Sequence, residues 1–145
     1  MWGRYATVAG DVSVLPVYTP LPSPTPGPAF SLSFSRMLMC GDIHAVFKMT
    51  NTSELTFVSA ERSVLDLDTG AYLAAPELDP SPFVSGSSNC PIGTGSHLDP
   101  GQVAYIYVPL SPVPSGDKAR GSVRLCTQAG LGGLCYAQAV NFDIP

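Results

Sequence analysis

Four cysteines, Cys40, Cys90, Cys126 and Cys135, carry the most specific chemistry in this chain of 145 residues. A structural zinc site would need thiolates at the short C-x2–4-C spacing, and no two of these cysteines lie that close together. Disulfides are therefore expected, and four cysteines allow three pairings. We expect Cys126 to bond Cys135, because both lie on the arms of a predicted terminal hairpin. The bridge Cys40–Cys90 would then hold a long loop to the edge of the fold.

Two histidines, His44 and His97, are the candidate bases for a serine or cysteine nucleophile. His44 falls on the polar phase of a predicted strand, where a solvated surface histidine is the simpler interpretation. His97 follows Ser96 and precedes Asp99, but the sequence contains no Gly-x-Ser-x-Gly elbow. We therefore predict no catalytic residue, and a hydrolase is the least favoured hypothesis.

Five carboxylates that are close in sequence could supply either a glycosidase pair or a metal site; they are Glu54, Glu61, Asp66, Asp68 and Glu77. Their neighbours offer no device that would raise the pKa of one of them, so a solvated face is the simpler interpretation. The run from Asp66 to Gly70 resembles the start of a calcium loop, with Asp66 and Asp68 as oxygen ligands. Its spacing is not that of an EF-hand, and Asp-Thr-Gly also predicts a plain turn. We predict no metal and no cofactor, with calcium as the alternative.

Tyrosines on one predicted strand are the candidate ligand contacts. Tyr105 and Tyr107 share a face of the strand over residues 103–110, and Tyr136 is expected on a neighbouring hairpin. Such an aromatic strip could stack on sugar rings or anchor a protein partner. Core packing is the competing interpretation, and the sequence favours it because both phases of this strand are apolar.

The composition indicates which elements must position these residues. Only 12% of the residues are charged, whereas 15 prolines and 14 glycines punctuate a chain that is 45% hydrophobic. Such a chain favours short strands and turns over long helices. The net charge of -4 and the scattered lysines and arginines argue against binding to nucleic acid. No apolar stretch approaches the ~18 residues of a transmembrane helix.

A proline-rich segment, residues 16–28, divides the chain. It holds six of the fifteen prolines and no charge, which is typical of a semi-rigid polyproline spacer of roughly 40 Å. We predict a tether over residues 1–28 and one domain over residues 29–145, and it stays open whether the segment before Pro16 adds a strand. The N-terminus lacks the apolar core of a signal peptide. We therefore expect a leader or a preceding module to be missing from this sequence.

Alternating apolar residues and turn signals predict about seven strands in the domain, an arrangement typical of an immunoglobulin-like antiparallel β-sandwich. The predicted strands cover residues 30–35, 43–50, 55–60, 63–67, 103–110, 122–127 and 134–144, where 55–60 and 63–67 are either two strands or one bent strand. Residues 76–101 are expected to be rich in loops, with room only for short edge strands.

Two turn motifs carry a resemblance to known proteins. The run from Phe47 to Ser53, followed by Leu98-Asp99-Pro100-Gly101, resembles the extracellular immunoglobulin-like modules of bacterial surface proteins. In the adhesion-related modules an N-T-G turn and an L-x-P-G turn occupy these places. The stretches Met39-Cys40-Gly41 and Leu125 to Cys135 are similar to an uncharacterised group of secreted bacterial domains. Two features depart from the modules: Ser53 replaces the glycine, and cysteines are present.

The resemblance covers roughly residues 30–145 and implies a fold and an extracellular or cell-surface location, with no activity. We therefore predict a non-catalytic binding or adhesion module on a proline-rich spacer, whose partner is an unknown surface protein or polysaccharide. The alternative is a purely structural spacer domain of a larger cell-envelope protein.

Overall fold

The computed structural model describes residues 20–22, 27–79, 82–86, 90, 95–112 and 118–145. Most of the predicted tether therefore lies outside the described residues. At its end, the Oγ1 of Thr52 donates a hydrogen bond of 2.6 Å to the carbonyl of Pro28, and the chain then enters the first strand. None of the described residues belongs to a helix long and apolar enough to cross a membrane.

Seven strands form two antiparallel sheets. The strands are β1 (Phe30–Cys40), β2 (Asp42–Asn51), β3 (Ser59–Asp66), β4 (Tyr72–Asp79), β5 (Val103–Pro109), β6 (Lys118–Gln128) and β7 (Gly132–Asp143). The first sheet has the order β1-β2-β5 and the second the order β4-β3-β6-β7. This confirms the predicted immunoglobulin-like sandwich. The fourth strand pairs with β3, whereas in a constant-type immunoglobulin domain it joins the other sheet.

The strand boundaries differ from the prediction in two places. The segments 55–60 and 63–67, predicted as two strands or one bent strand, contain the single strand β3, and residues 55–58 before it are irregular and make one bridge, Phe57 to Leu98. β4 is a strand of 8 residues that follows the predicted turn at Asp68–Gly70 and extends into the region from residue 76 onward, where only loops and short edge strands were expected. Pro76 interrupts the alternation of β4, and the register with β3 shifts nearby, between Arg62 and Val64.

Phe47 fills the centre of the core between the two sheets. It is fully buried on β2, and its ring lies directly over Gly121 of β6, where an added Cβ would overlap it. Phe34 and Phe142 stack at a centroid distance of 4.3 Å, and Phe47 meets them edge-on at 5.9 and 5.4 Å. These three rings close the sandwich on the side of β1 and β7.

Asn51, at the end of β2, joins the two turn motifs that carried the resemblance. Its Nδ2 donates hydrogen bonds to the carbonyls of Leu55 and Leu98, at 2.7 and 3.0 Å. Its backbone carbonyl accepts from the N–H of Gly101, and its Oδ1 accepts from both the N–H and the hydroxyl of Ser53. Asn51 is only 1% exposed, so the bonds satisfy a buried amide.

Both predicted disulfides are present, Cys40–Cys90 and Cys126–Cys135. Cys126 and Cys135 are directly opposite in the β6–β7 register, as the hairpin prediction required. Cys40 ends β1, and its bridge ties Cys90 to the first sheet.

The disulfide between Cys40 and Cys90 should stabilise the fold more than the hairpin disulfide. The residue separations of 50 and 9 correspond to ~4.1 and ~2.7 kcal/mol on the chain-entropy estimate. We expect urea unfolding to give a lower free energy of unfolding for the pair Cys40→Ala/Cys90→Ala than for Cys126→Ala/Cys135→Ala. The reverse order would show that native packing at the hairpin outweighs loop entropy.

Gly121→Ala should destabilise the protein by roughly 1–3 kcal/mol, because the added methyl group displaces the Phe47 ring. Adding Phe47→Leu should relieve that clash, so the double variant should lose at least about 0.5 kcal/mol less than the sum of the single losses. Thermal and urea unfolding measure both effects. Gly27→Ala is the control, since a Cβ at Gly27 meets nothing within 4 Å. Additive losses in the double variant would contradict the proposed contact.

Candidate functional site

Ser96, His97 and Asp99 come together in the segment before β5. Ser96 Oγ lies 3.4 Å from Nδ1 of His97, and Nε2 of His97 lies 3.6 Å from a carboxylate oxygen of Asp99. Both distances exceed the ~2.6–3.2 Å of a nucleophile–base contact. The second carboxylate oxygen of Asp99 accepts a hydrogen bond of 2.9 Å from Thr56. Asp99 therefore also fastens the loop that follows β2.

The other candidate residues of the sequence are spread over the fold. His44 is half-buried on β2, with Nδ1 2.9 Å from the carbonyl of Asp42. Glu54 lies in the loop after β2, Glu61 on β3 and Glu77 on β4. Among the described residues, no group of three or more histidines, cysteines, aspartates or glutamates is arranged to hold a metal ion.

Asp66 and Asp68, the calcium alternative, organise the turn between β3 and β4. The Oδ1 of Asp66 accepts hydrogen bonds from the backbone N–H groups of Asp68 and Thr69, at 2.8 and 3.2 Å. Burial of the carboxyl opposes its ionisation, but these bonds outweigh that effect and lower the pKa of Asp66. Asp68 in turn accepts from the N–H of Lys118 at 3.0 Å. In this geometry both carboxylates bind amides of the protein itself.

The three candidate tyrosines are divided between the two sheets. Tyr105 and Tyr107 lie on the outer face of the first sheet and pack with Val46 and Val84 in a small second core, in which Tyr107 is 7% exposed. Val84 also forms an antiparallel bridge with Tyr105, so residues 83–84 run along β5. Tyr136 lies on β7, is 39% exposed and meets the Phe57 ring edge-on at 6.1 Å. The structure thus brings Tyr105 and Tyr107 together but places Tyr136 elsewhere.

A groove of about 840 Å³ opens between β4 and the end of the first sheet that is formed by the β1–β2 turn and the last residue of β5. Its apolar walls include Ile43, Leu73 and Leu110. The N–H of Leu110 donates to the carbonyl of Ile43 at 2.9 Å, and the next N–H, that of Ser111, donates to the carbonyl of Leu73 at 2.8 Å. The chain therefore crosses from the first sheet to the second beside the groove and fixes the distance between its walls.

The charged side chains among the described residues that line the groove are one arginine and two carboxylates. The side chain of Arg62 is 14% exposed, and its Nε contacts a carboxylate oxygen of Asp79 at 3.2 Å. Asp42 and Glu77 also line the groove, and both are exposed. Because Asp79 balances the charge of Arg62, the two exposed carboxylates leave the groove negatively charged.

Sequence reasoning missed this groove. Its residues come from four separate parts of the chain, and only the pairing of β3 with β4 brings Arg62 close to Glu77. Glu77 was singled out, but as one of a group of carboxylates. The available local signal is Pro76, since proline within a strand is typical of a sheet edge.

The stability of the protein should fall in acid partly through Asp66. The pKa of Asp66 is lowered in the folded state. Its contribution to the free energy of unfolding is therefore fully present above the unfolded pKa of about 3.9, and it is lost as the pH falls through the folded pKa. Asp66→Asn keeps the acceptor oxygen but cannot titrate, so its unfolding free energy should depend less on pH below about pH 4. Asp66→Ala, which lacks the acceptor, should be less stable than wild type at neutral pH. Identical acid profiles for wild type and Asp66→Asn in urea unfolding would contradict this role.

No protein-family model matches the chain, and no curated protein matches it significantly. The assignment of the fold therefore depends on the strand order, the register and the two disulfides. The resemblance to bacterial adhesion modules stays a prediction, based on turn motifs.

Proposed function

We propose that this chain is a non-catalytic binding module that works outside the cytoplasm and takes an extended polypeptide segment in the groove between β4 and the β1–β2 end of the first sheet. The observation that carries the proposal is the groove itself, whose volume of about 840 Å³ lies in the range of ligand sites. Its walls are strands and a hydrogen-bonded crossing, so its shape is fixed before a ligand arrives.

The two disulfides support an extracellular or cell-surface location. Cys40–Cys90 and Cys126–Cys135 together use all four cysteines of the chain. Structural disulfides persist in oxidising compartments and are rare in the cytosol. The Cys40–Cys90 disulfide also holds part of the groove wall in place, because Cys40 lies between Met39 and Gly41, and both of these residues line the groove.

The lining of the groove favours a polypeptide over a polysaccharide. Its apolar residues are aliphatic, among them Ile43, Leu73 and Leu110, and none of the described lining residues is aromatic. Sugar rings are usually recognised by stacking on aromatic side chains, whereas aliphatic walls accept aliphatic side chains. Tyr107, which could have offered such a ring, is buried in the second core.

The charges of the groove favour a basic ligand. Asp42 and Glu77 are exposed, whereas Arg62, the one cation among the described lining residues, is already paired with Asp79. A lysine or arginine of the ligand would meet these carboxylates while a neighbouring apolar side chain enters between Leu73 and Leu110. The preferred ligand is therefore an extended segment in which an apolar residue is next to a basic one.

The other two hypotheses have weaker support. A purely structural spacer domain would not need an open, negatively charged groove between its sheets. A hydrolase is supported by the contacts among Ser96, His97 and Asp99, but His97 and Asp99 have side chains that are 57% and 43% exposed. A catalytic pair of this kind usually works in a site that excludes water.

Selection from a random peptide library on the immobilised protein tests the proposal. We expect the selected peptides to share an apolar residue beside a lysine or arginine. Glu77→Lys should weaken their binding at least about tenfold, equivalent to ~1.4 kcal/mol, because it replaces an attractive charge with a repulsive one.

Glu54→Lys is the matched control, since Glu54 is exposed and lies in the loop after β2, away from the groove lining. It makes the same change in net charge and should leave peptide binding unchanged. Equal losses in both variants would mean that net charge alone governs binding. A selection without any shared pattern would support the spacer hypothesis instead.

A further inference from the structure

The two sheets have four edge strands, and three of these edges are guarded against pairing with another chain. β4 carries Pro76, Glu77 and Asp79, which discourage the addition of a strand. β1 has an irregularity in its register between Phe34 and Arg36. β5 is accompanied by residues 83–84, which bridge to it at Tyr105.

β7 has little of this protection: its register irregularity lies only at its start, opposite the segment from Cys126 to Gln128, and no described segment bridges to its outer edge. It is 12 residues long, and from Gly132 to Phe142 it contains neither a charged residue nor a proline. Most of its residues are exposed, including Leu134 and Tyr136 at 57% and 39%. A long, neutral, exposed edge strand is a template for pairing with another strand.

The hydrogen-bonding groups that β7 turns outward can be identified from its disulfide. Cys126 and Cys135 are directly opposite with a Cα–Cα distance of 4.2 Å, which is typical of a non-hydrogen-bonded pair. The carbonyl of Cys126 accepts its bond from Val58, on the other side of β6. By alternation, the N–H and C=O groups of Cys135, Ala137 and Ala139 point away from β6, and those of Tyr136 and Gln138 bond to it.

We propose that the β7 edge pairs with the β7 edge of a second copy of this chain, antiparallel and about a two-fold axis near Ala137 or Ala139. A two-fold axis brings the same residues face to face, so a charged edge would repel itself, whereas this neutral edge does not. The small side chains of Ala137 and Ala139 leave room for the second backbone.

Charges next to the edge favour the antiparallel arrangement. Arg124 of β6 is opposite Ala137 in the register, and Asp143 ends β7 on the same face of the sheet. With the two-fold axis at Ala139, an antiparallel second copy places Asp143 of each chain opposite Cys135 of the other, two residues along β7 from the Ala137 that is paired with Arg124. A parallel copy would instead place Asp143 beside Asp143. Because one edge strand buries less than the ~1,200 Å² of a standard interface, the dimer should form reversibly as concentration rises.

Analytical ultracentrifugation over a series of concentrations tests the proposal, with the full chain of 15.2 kDa. We expect the average mass of the wild type to rise toward twice that value. Ala137→Lys should weaken association at least about tenfold, because it places two like charges at the axis. Ala139→Pro should do the same, because it removes an outward N–H that the β6–β7 ladder does not use. Ala75→Lys, on the exposed part of β4, is the control and should dimerise like the wild type.

Amide hydrogen exchange gives a second measurement that does not depend on the variants folding. The N–H groups of Ala137 and Ala139 should become protected only as concentration rises, whereas that of Gln138 should be protected at every concentration. A monomer at all concentrations would overturn the proposal. Protection of Ala137 and Ala139 at high dilution would also overturn it, because another segment of the same chain would then occupy the edge.

Discussion

The hydrogen bonds of Asn51 are the constraint on which the arrangement of this sandwich depends. This one buried side chain binds the carbonyls of Leu55 and Leu98, while its backbone bonds to Gly101 and Gln102. It thereby joins the loop that leaves β2 for the second sheet to the turn that returns the chain to β5. An apolar residue here would leave two carbonyls without their donor, at a cost of about 1–3 kcal/mol for each buried group. The Phe57–Leu98 bridge is adjacent, so the same bonds also set the separation of the sheets at this end.

From that fixed end, the two long sides of the sandwich close differently. On the side of β1 and β7, three phenylalanine rings fill the space, and Gly121 provides the room that Phe47 needs. Beside β4, the backbone crosses between the sheets at Leu110 and Ser111, and none of the described residues that line the groove there is aromatic. The groove is the result of this difference in filling. On the groove side, backbone hydrogen bonds hold the two sheets apart. On the opposite side, packed side chains fill the space between them.

Local sequence patterns predicted much of the fold, because strands with one buried face alternate and tight turns need particular residues. β2, β5 and the terminal hairpin were predicted in this way, and so was the Cys126–Cys135 bridge. β4 was missed because most of it is exposed at the sheet edge, and Pro76 breaks its pattern. Apart from Pro76, the groove has no local signal, since Arg62, Leu73 and Leu110 become neighbours only through strand pairing. The tyrosines show the same limit: alternation placed Tyr105 and Tyr107 on one face, but residues 83–84, distant in sequence, cover that face.

The two proposed surfaces are compatible because they lie at opposite edges of the second sheet. β4 borders the groove, β7 is the proposed pairing edge, and β3 and β6 separate them. Pairing through β7 would extend that sheet from four strands to eight and leave a groove at each end. A dimer of this kind would present two identical sites, and on a partner with repeated segments the second binding event becomes intramolecular. The affinity of each groove could then stay modest while attachment to a repetitive surface is strong. The absence of charge along β7 is thus consistent with a module that relies on several weak contacts.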